Sequence, residues 1–113
     1  MQERRHSQRR NFGYYMPITD DSNQQLVGHL ADISLGGFKL DSTVPVKEDK
    51  VYQLRLALTD EIASKPFMHF VARSKWCTPD EIQPSMFYVG FEISRISDQD
   101  AEIFKRIYQK YGA

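Results

Sequence analysis

QQLVGHLADISLGGFKLDS (residues 24–42) is the segment from which the rest of this chain is most readily ordered. Period-two spacing puts Leu26, Leu30 and Asp32 on one side of an extended strand and Val27, Ala31 and Ile33 on the other. LGG then turns the chain, and FKLDS forms a second short strand that ends before Pro45. The flanking sequence has the same character. Upstream, Phe12, Tyr14, Met16 and Ile18 alternate, and DDSN at 20–23 supplies turn residues. Downstream, VYQLRLALT sets Tyr52, Leu54, Leu56 and Leu58 on one face, with Gln53 and Arg55 opposite. EIASKP reads as a linker. FMHFVARSKW alternates Met68, Phe70, Ala72, Ser74 and Trp76 against His69, Val71, Arg73 and Lys75. PDEIQPS is a loop, and MFYVGFEI aligns Phe87, Val89, Phe91 and Ile93.

The C-terminal segment has a different period. Ser97 followed by Asp98 and Asp100 has the form of a helix cap with acids in the first turn. Phe104, Ile107, Tyr108 and Tyr111 recur at i, i+3, i+4 and i+7, an apolar helical stripe. The expected fold is all-β: six short antiparallel strands closed into a barrel, which hides their edges, with one C-terminal α-helix. The 113 residues suit one domain over 1–113, with an arm at 1–10, a barrel at 11–95 and a helix at 97–111.

Fifteen basic and fifteen acidic residues cancel, which argues against a general DNA-binding surface. The balance is local, however. Residues 1–10 carry four arginines and one glutamate, and the rest carry eleven basic against fourteen acidic groups. A basic, flexible arm before a mildly acidic body points to an anionic partner for the arm. Cys77 stands alone, so no internal disulfide forms, which is compatible with a reducing compartment. No apolar run approaches the length of a membrane span, and no apolar stretch follows the N-terminal charges as in a secretory signal. A cytoplasmic protein without membrane insertion is expected.

His6, His29 and His69 share no metal-ligand spacing with each other or with Cys77. The paired carboxylates at 20–21 and 80–81 sit in turns, and no Ser-His-Asp order stands out. A binding protein is expected rather than an enzyme. Two segments carry binding chemistry. Arg5 and Arg9 are spaced R-x-x-x-R, and the planar guanidinium fork suits phosphate oxygens and the O6/N7 edge of guanine. DISLGG reads as Asp32-x-Ser34-x-x-Gly37. A carboxylate accepts hydrogen bonds from guanine N1–H and N2–H₂, and Ser34 adds a hydroxyl. Gly36 and Gly37 allow positive φ and close backbone approach. Alone, the first segment is an ordinary basic tail and the second an ordinary turn.

An R-x-x-x-R arm followed by strand, turn, strand and D-x-S-x-x-G resembles the PilZ domain family. SKWC and YVGFEIS resemble its late barrel strands, so the likeness covers nearly the whole chain. It implies a six-stranded β-barrel with a C-terminal helix that binds the bacterial second messenger cyclic di-GMP and uses no cofactor. Arg5 and Arg9 match the motif arginines, and Asp32, Ser34 and Gly37 match the second motif. Arg4 precedes the first motif arginine. An arginine there tends, in the family, to accompany an intercalated ligand dimer, so two cyclic di-GMP per chain are expected. The ligand site is thus expected at Arg4, Arg5, Arg9, Asp32, Ser34, Gly36 and Gly37. The chain is expected to relay the signal to a downstream protein, which the sequence does not identify. Two rival readings are a PilZ-like interaction module that does not bind nucleotide, and a small barrel binding single-stranded nucleic acid through the arm and NFGYYM. Complete motifs argue against the first and neutral charge against the second.

Overall fold

The computed structural model describes residues 16–111. Six strands form one closed antiparallel barrel: β1 (Pro17–Asp20), β2 (Leu26–Ile33), β3 (Gly37–Ser42), β4 (Val51–Ala57), β5 (Phe67–Pro79) and β6 (Phe87–Ile96). Their order around the barrel is β1-β2-β3-β6-β5-β4, and β1 closes it by pairing with β4. Closure leaves no free sheet edge. Helix α1 (Asp98–Tyr111) follows. Phe12 and Tyr14 of the first expected strand lie outside the described residues, as does the 1–10 arm.

The alternating apolar residues fill the interior. Ile18, Leu40, Leu54, Leu56, Met68 and Val89 are all essentially buried. The segment between β4 and β5, read from sequence as a linker, does more than connect. Its Ile62 is buried and joins the core together with Ile103, Phe104 and Ile107 of α1. The helix starts as its sequence suggests, with the Ser97 hydroxyl accepting the Asp100 N–H at 3.1 Å. Asp100 is itself buried, and its carboxylate accepts from Lys65 Nζ at 2.7 Å and from the His69 N–H at 3.1 Å. This ties the helix to the linker and to β5.

The register slips at four places along the barrel, and two of these, in β2 and in β5, are β-bulges that re-aim side chains on its wall. In β2 the register slips between Leu30 and Asp32. Leu30 pairs with Leu40 and Ile33 with Phe38, all pointing inward, while Asp32 pairs with Lys39 on the outer face. Asp32 therefore does not share a side with Leu30. In β5 the register slips between Ser74 and Trp76. Ser74 is fully buried, whereas Trp76 is 41% exposed, so the row from Met68 to Ser74 does not continue to Trp76. An extra residue in one strand shifts the side-chain parity beyond it and re-aims the residues after it.

Buried Ser74 is a polar group at a core position, and its hydrogen bonds explain why it is tolerated there. Its hydroxyl donates to the Lys47 carbonyl at 2.6 Å and accepts the Lys50 N–H at 3.1 Å. Its backbone exchanges further bonds with Asp49 and Lys50. The turn before β4 is thereby held against β5 just ahead of the bulge. Ser74→Ala should lower the unfolding free energy by about 1–3 kcal/mol by leaving these backbone groups underpaired. Urea denaturation should show a lower midpoint at unchanged slope, and an unchanged midpoint would remove this role for the hydroxyl.

Candidate functional site

The two bulges bring separate strands to one place on the barrel wall. Cross-strand pairing aligns Asp32 of β2 with Lys39 of β3, Lys39 with Gly90 of β6, and Gly90 with Trp76 of β5. Neighbouring strands lie about 4.8 Å apart, so the row runs laterally across four strands on the outer face. Gly90 has no side chain, and the Trp76 indole occupies the space above it. A Cβ at Gly90 would stand 2.3 Å from the indole ring. The row borders an open depression of about 330 Å³ that Ser34 and Lys75 also line. Phe38 and Phe91, stacked at 5.2 Å, form its apolar base. Beneath them Tyr52 meets the Phe91 ring edge-on at 5.8 Å. Burial raises the Tyr52 phenol above its ordinary range, and the Asp20 carboxylate adds to the effect.

Asp32 and Ser34 are thus both at the depression. Asp32 Oδ1 accepts the Ile33 N–H at 2.8 Å, and its carboxylate has no further partner among the described residues. Ser34 closes the β2–β3 turn, its N–H donating to the Gly37 carbonyl at 2.9 Å and its hydroxyl reaching the same oxygen at 3.3 Å.

The two motif glycines differ. Neither has positive φ, so the left-handed conformation expected from sequence is not what they supply. Gly37 is instead required for close approach, because a Cβ there would stand 2.1 Å from the Phe91 carbonyl oxygen. Gly36 faces open space, and its carbonyl accepts the Ile93 N–H at 3.1 Å. Gly36→Ala should change stability by no more than about 0.5 kcal/mol, as at an unconstrained surface position. Gly37→Ala should cost several times that, because β3 must move away from β6. Thermal or urea unfolding of the pair checks this, and equal stabilities would contradict the contact.

Arg4, Arg5 and Arg9 lie outside the described residues. What the structure does place is their point of attachment. Met16, the first described residue, accepts the Leu30 N–H at 3.0 Å, two positions from Asp32. Met16 therefore lies against β2, the strand that carries Asp32. Trp76, Lys39 and Lys75 were not singled out from sequence. Alternation puts Trp76 inside the barrel, and only the slip in register turns it out.

Trp76 is the chain's single tryptophan, so its fluorescence reports on this site alone. Gly90→Ala should displace the indole and shift its emission while the barrel stays folded by circular dichroism. An unchanged spectrum would mean that the indole does not rest on Gly90.

A closed six-stranded barrel with a C-terminal helix, and a depression on its wall beside a D-x-S-x-x-G turn, define a small β-barrel domain of a particular kind. The PilZ domain profile matches residues 3–110, and the chain belongs to that family. Solved structures agree on the fold. The Bacillus subtilis inhibitor of motility MotI/DgrA superposes with a TM-score of 0.70 at 13% identity, covering 86% of this chain and 46% of that one. MrkH of K. pneumonia in its apo state gives 0.64 at 13% identity with the same coverages. The PilZ domain of YcgR from Escherichia coli, determined with c-di-GMP, gives 0.61 at 16% identity, covering 86% of this chain and 80% of that one. This chain spans about half the length of the first two. No curated protein matches the sequence. At such identities the likeness establishes the fold. Among the described residues no helix is long and apolar enough to cross a membrane, and no cluster of metal-ligating side chains is present.

Proposed function

We propose that this chain is a cyclic di-GMP receptor that binds the messenger between its N-terminal arginines and the depression beside Asp32. The observation that carries the reading is the outer-face row Asp32–Lys39–Gly90–Trp76 beside the D-x-S-x-x-G turn of a PilZ barrel. A flat indole beside a carboxylate suits a purine that presents N–H donors on one edge and π-faces on both sides. Guanine is such a base, and the PilZ domain of YcgR was determined with c-di-GMP. Asp32 receives the guanine N1–H and N2–H₂, Ser34 contacts a phosphate or base, and Gly37 keeps the turn low against β6.

The arginines supply the opposing half. Arg9 stands seven residues before Met16 and Arg5 eleven. Fully extended, these intervals reach up to about 25 Å and about 39 Å, enough to reach the depression from Met16. Arg5 and Arg9 bind phosphates and guanine faces, and Arg4 reaches the additional surface of an intercalated ligand dimer. Residues 1–10 thus act as an arm on a single domain, and ordering that arm is the entropic cost that the bidentate contacts offset. The domain performs no chemistry of its own. Its output is a changed surface over the β2–β3 turn, presented to a downstream protein.

Titration with cyclic di-GMP, followed by calorimetry and by Trp76 fluorescence, tests the reading, with GTP and a short single-stranded oligonucleotide as controls. Micromolar or tighter binding of cyclic di-GMP alone is expected. Arg5→Ala and Arg9→Ala should each weaken it about ten- to a hundredfold, and Asp32→Asn should weaken it by replacing an acceptor oxygen with a donor amide. Arg4→Leu should retain binding and shift the saturating ratio from two ligands per chain towards one. Binding of the oligonucleotide in preference, or no binding at all, would favour the nucleic-acid barrel or the nucleotide-free interaction module instead.

A further inference from the structure

The β5 bulge re-aims two side chains. Trp76 lies over Gly90 and lines the depression, as does Lys75, the additional residue of the bulge. Lys75 is a cation on the barrel wall itself, independent of the N-terminal arginines. Its ammonium lies 3.6 Å from a carboxylate oxygen of Glu92. Glu92 is held in place by the barrel, since it pairs with Gly37 across β3 and β6 and with Arg73 across β5 and β6. The carboxylate thus flanks the D-x-S-x-x-G turn, at the border of a depression whose proposed ligand is a dianion.

We infer that Lys75 is a phosphate contact on the barrel wall and that Glu92 is its resident counter-ion, displaced when the ligand phosphate arrives. The inference rests on the cyclic di-GMP reading above. Both side chains are more than half exposed, at 51% and 63%, so water screens their attraction and the pair is weak. A weak pair is what an exchange requires. The ligand's phosphodiester carries the same single charge as the carboxylate but is held at the wall by the ligand's other contacts, and the lysine needs only a rotamer change to follow it. Glu92 then lowers affinity in two ways: it occupies Lys75, and it repels the ligand. The first depends on Lys75 and the second does not, so a double-mutant cycle separates them.

Calorimetric titration of the full chain with cyclic di-GMP supplies the readout. Lys75→Gln should weaken binding roughly three- to tenfold, and Glu92→Gln should strengthen it about two- to fivefold. In the Lys75→Gln background the gain from Glu92→Gln should largely disappear. Lys75→Arg should retain binding, since it keeps the charge, which shows that charge rather than packing is at work. Wild-type affinity in Lys75→Gln overturns the inference while leaving the receptor reading intact. A gain from Glu92→Gln that persists undiminished without Lys75 reduces Glu92 to through-space repulsion and overturns the exchange. Failure of the wild-type chain to bind cyclic di-GMP overturns both readings, and is distinguished from the other outcomes by that single titration.

Discussion

The structure turns on a constraint of parity. A β-strand sends successive side chains to opposite faces, so a residue two positions from a buried one is itself buried unless the register slips. Asp32 and Trp76 each stand two positions from a buried residue, Leu30 and Ser74. Without the bulges a carboxylate and an indole would be driven into an apolar interior, where the carboxylate would find no water and no partner. The slips at 30/32 and 74/76 remove both conflicts and place the two side chains in one lateral row. The β5 slip adjoins the hydroxyl of Ser74, which ties the strand to the 47–50 turn.

Barrel closure gives that row its precision. Lys39 and Gly90 are paired on both sides and Asp32 and Trp76 on one, so the position of each is set by the ladder rather than by a loop. The glycine at 90 completes the arrangement by subtraction: with no side chain there, the indole lies flat against the wall. The helix and Ile62 seal the interior independently, through Ile103, Phe104 and Ile107 and through the buried Asp100. Apart from Phe38 and Phe91, which serve both, core and wall use different residues, and the wall can carry polar and charged groups over the packing beneath it.

The wall supplies an aromatic surface, an acceptor and two lysines, while the N-terminal segment supplies guanidinium forks. In the proposed receptor, neither half is sufficient. The barrel offers shape and a guanine-reading edge, and the arginines offer the charge that a compact body of acidic balance lacks. Glu92 fits the same division, since a carboxylate at the border keeps the wall from being a general anion trap.

Much of the fold was legible in the residues. Period-two apolar spacing through Leu54–Leu56 and Met68–Ala72 requires half-buried strands, and the 3.6-residue stripe of Phe104, Ile107 and Tyr108 requires a helix, because each pattern can hide its apolar face in only one kind of element. The R-x-x-x-R and D-x-S-x-x-G spacings singled out Asp32 and Ser34, which the fold then brings to the depression. Trp76, Lys75 and Gly90 were not legible. Their roles depend on which residue of one strand stands opposite which residue of another, and a bulge changes that by one position with no signature in local composition. The glycines show the same division: both permit an unusual backbone on paper, yet only the approach of Phe91 makes Gly37 indispensable and leaves Gly36 free to vary. Spacing along the chain fixes periodicity and chemistry, whereas facing and adjacency arise from cross-strand register, which forms only when distant segments meet.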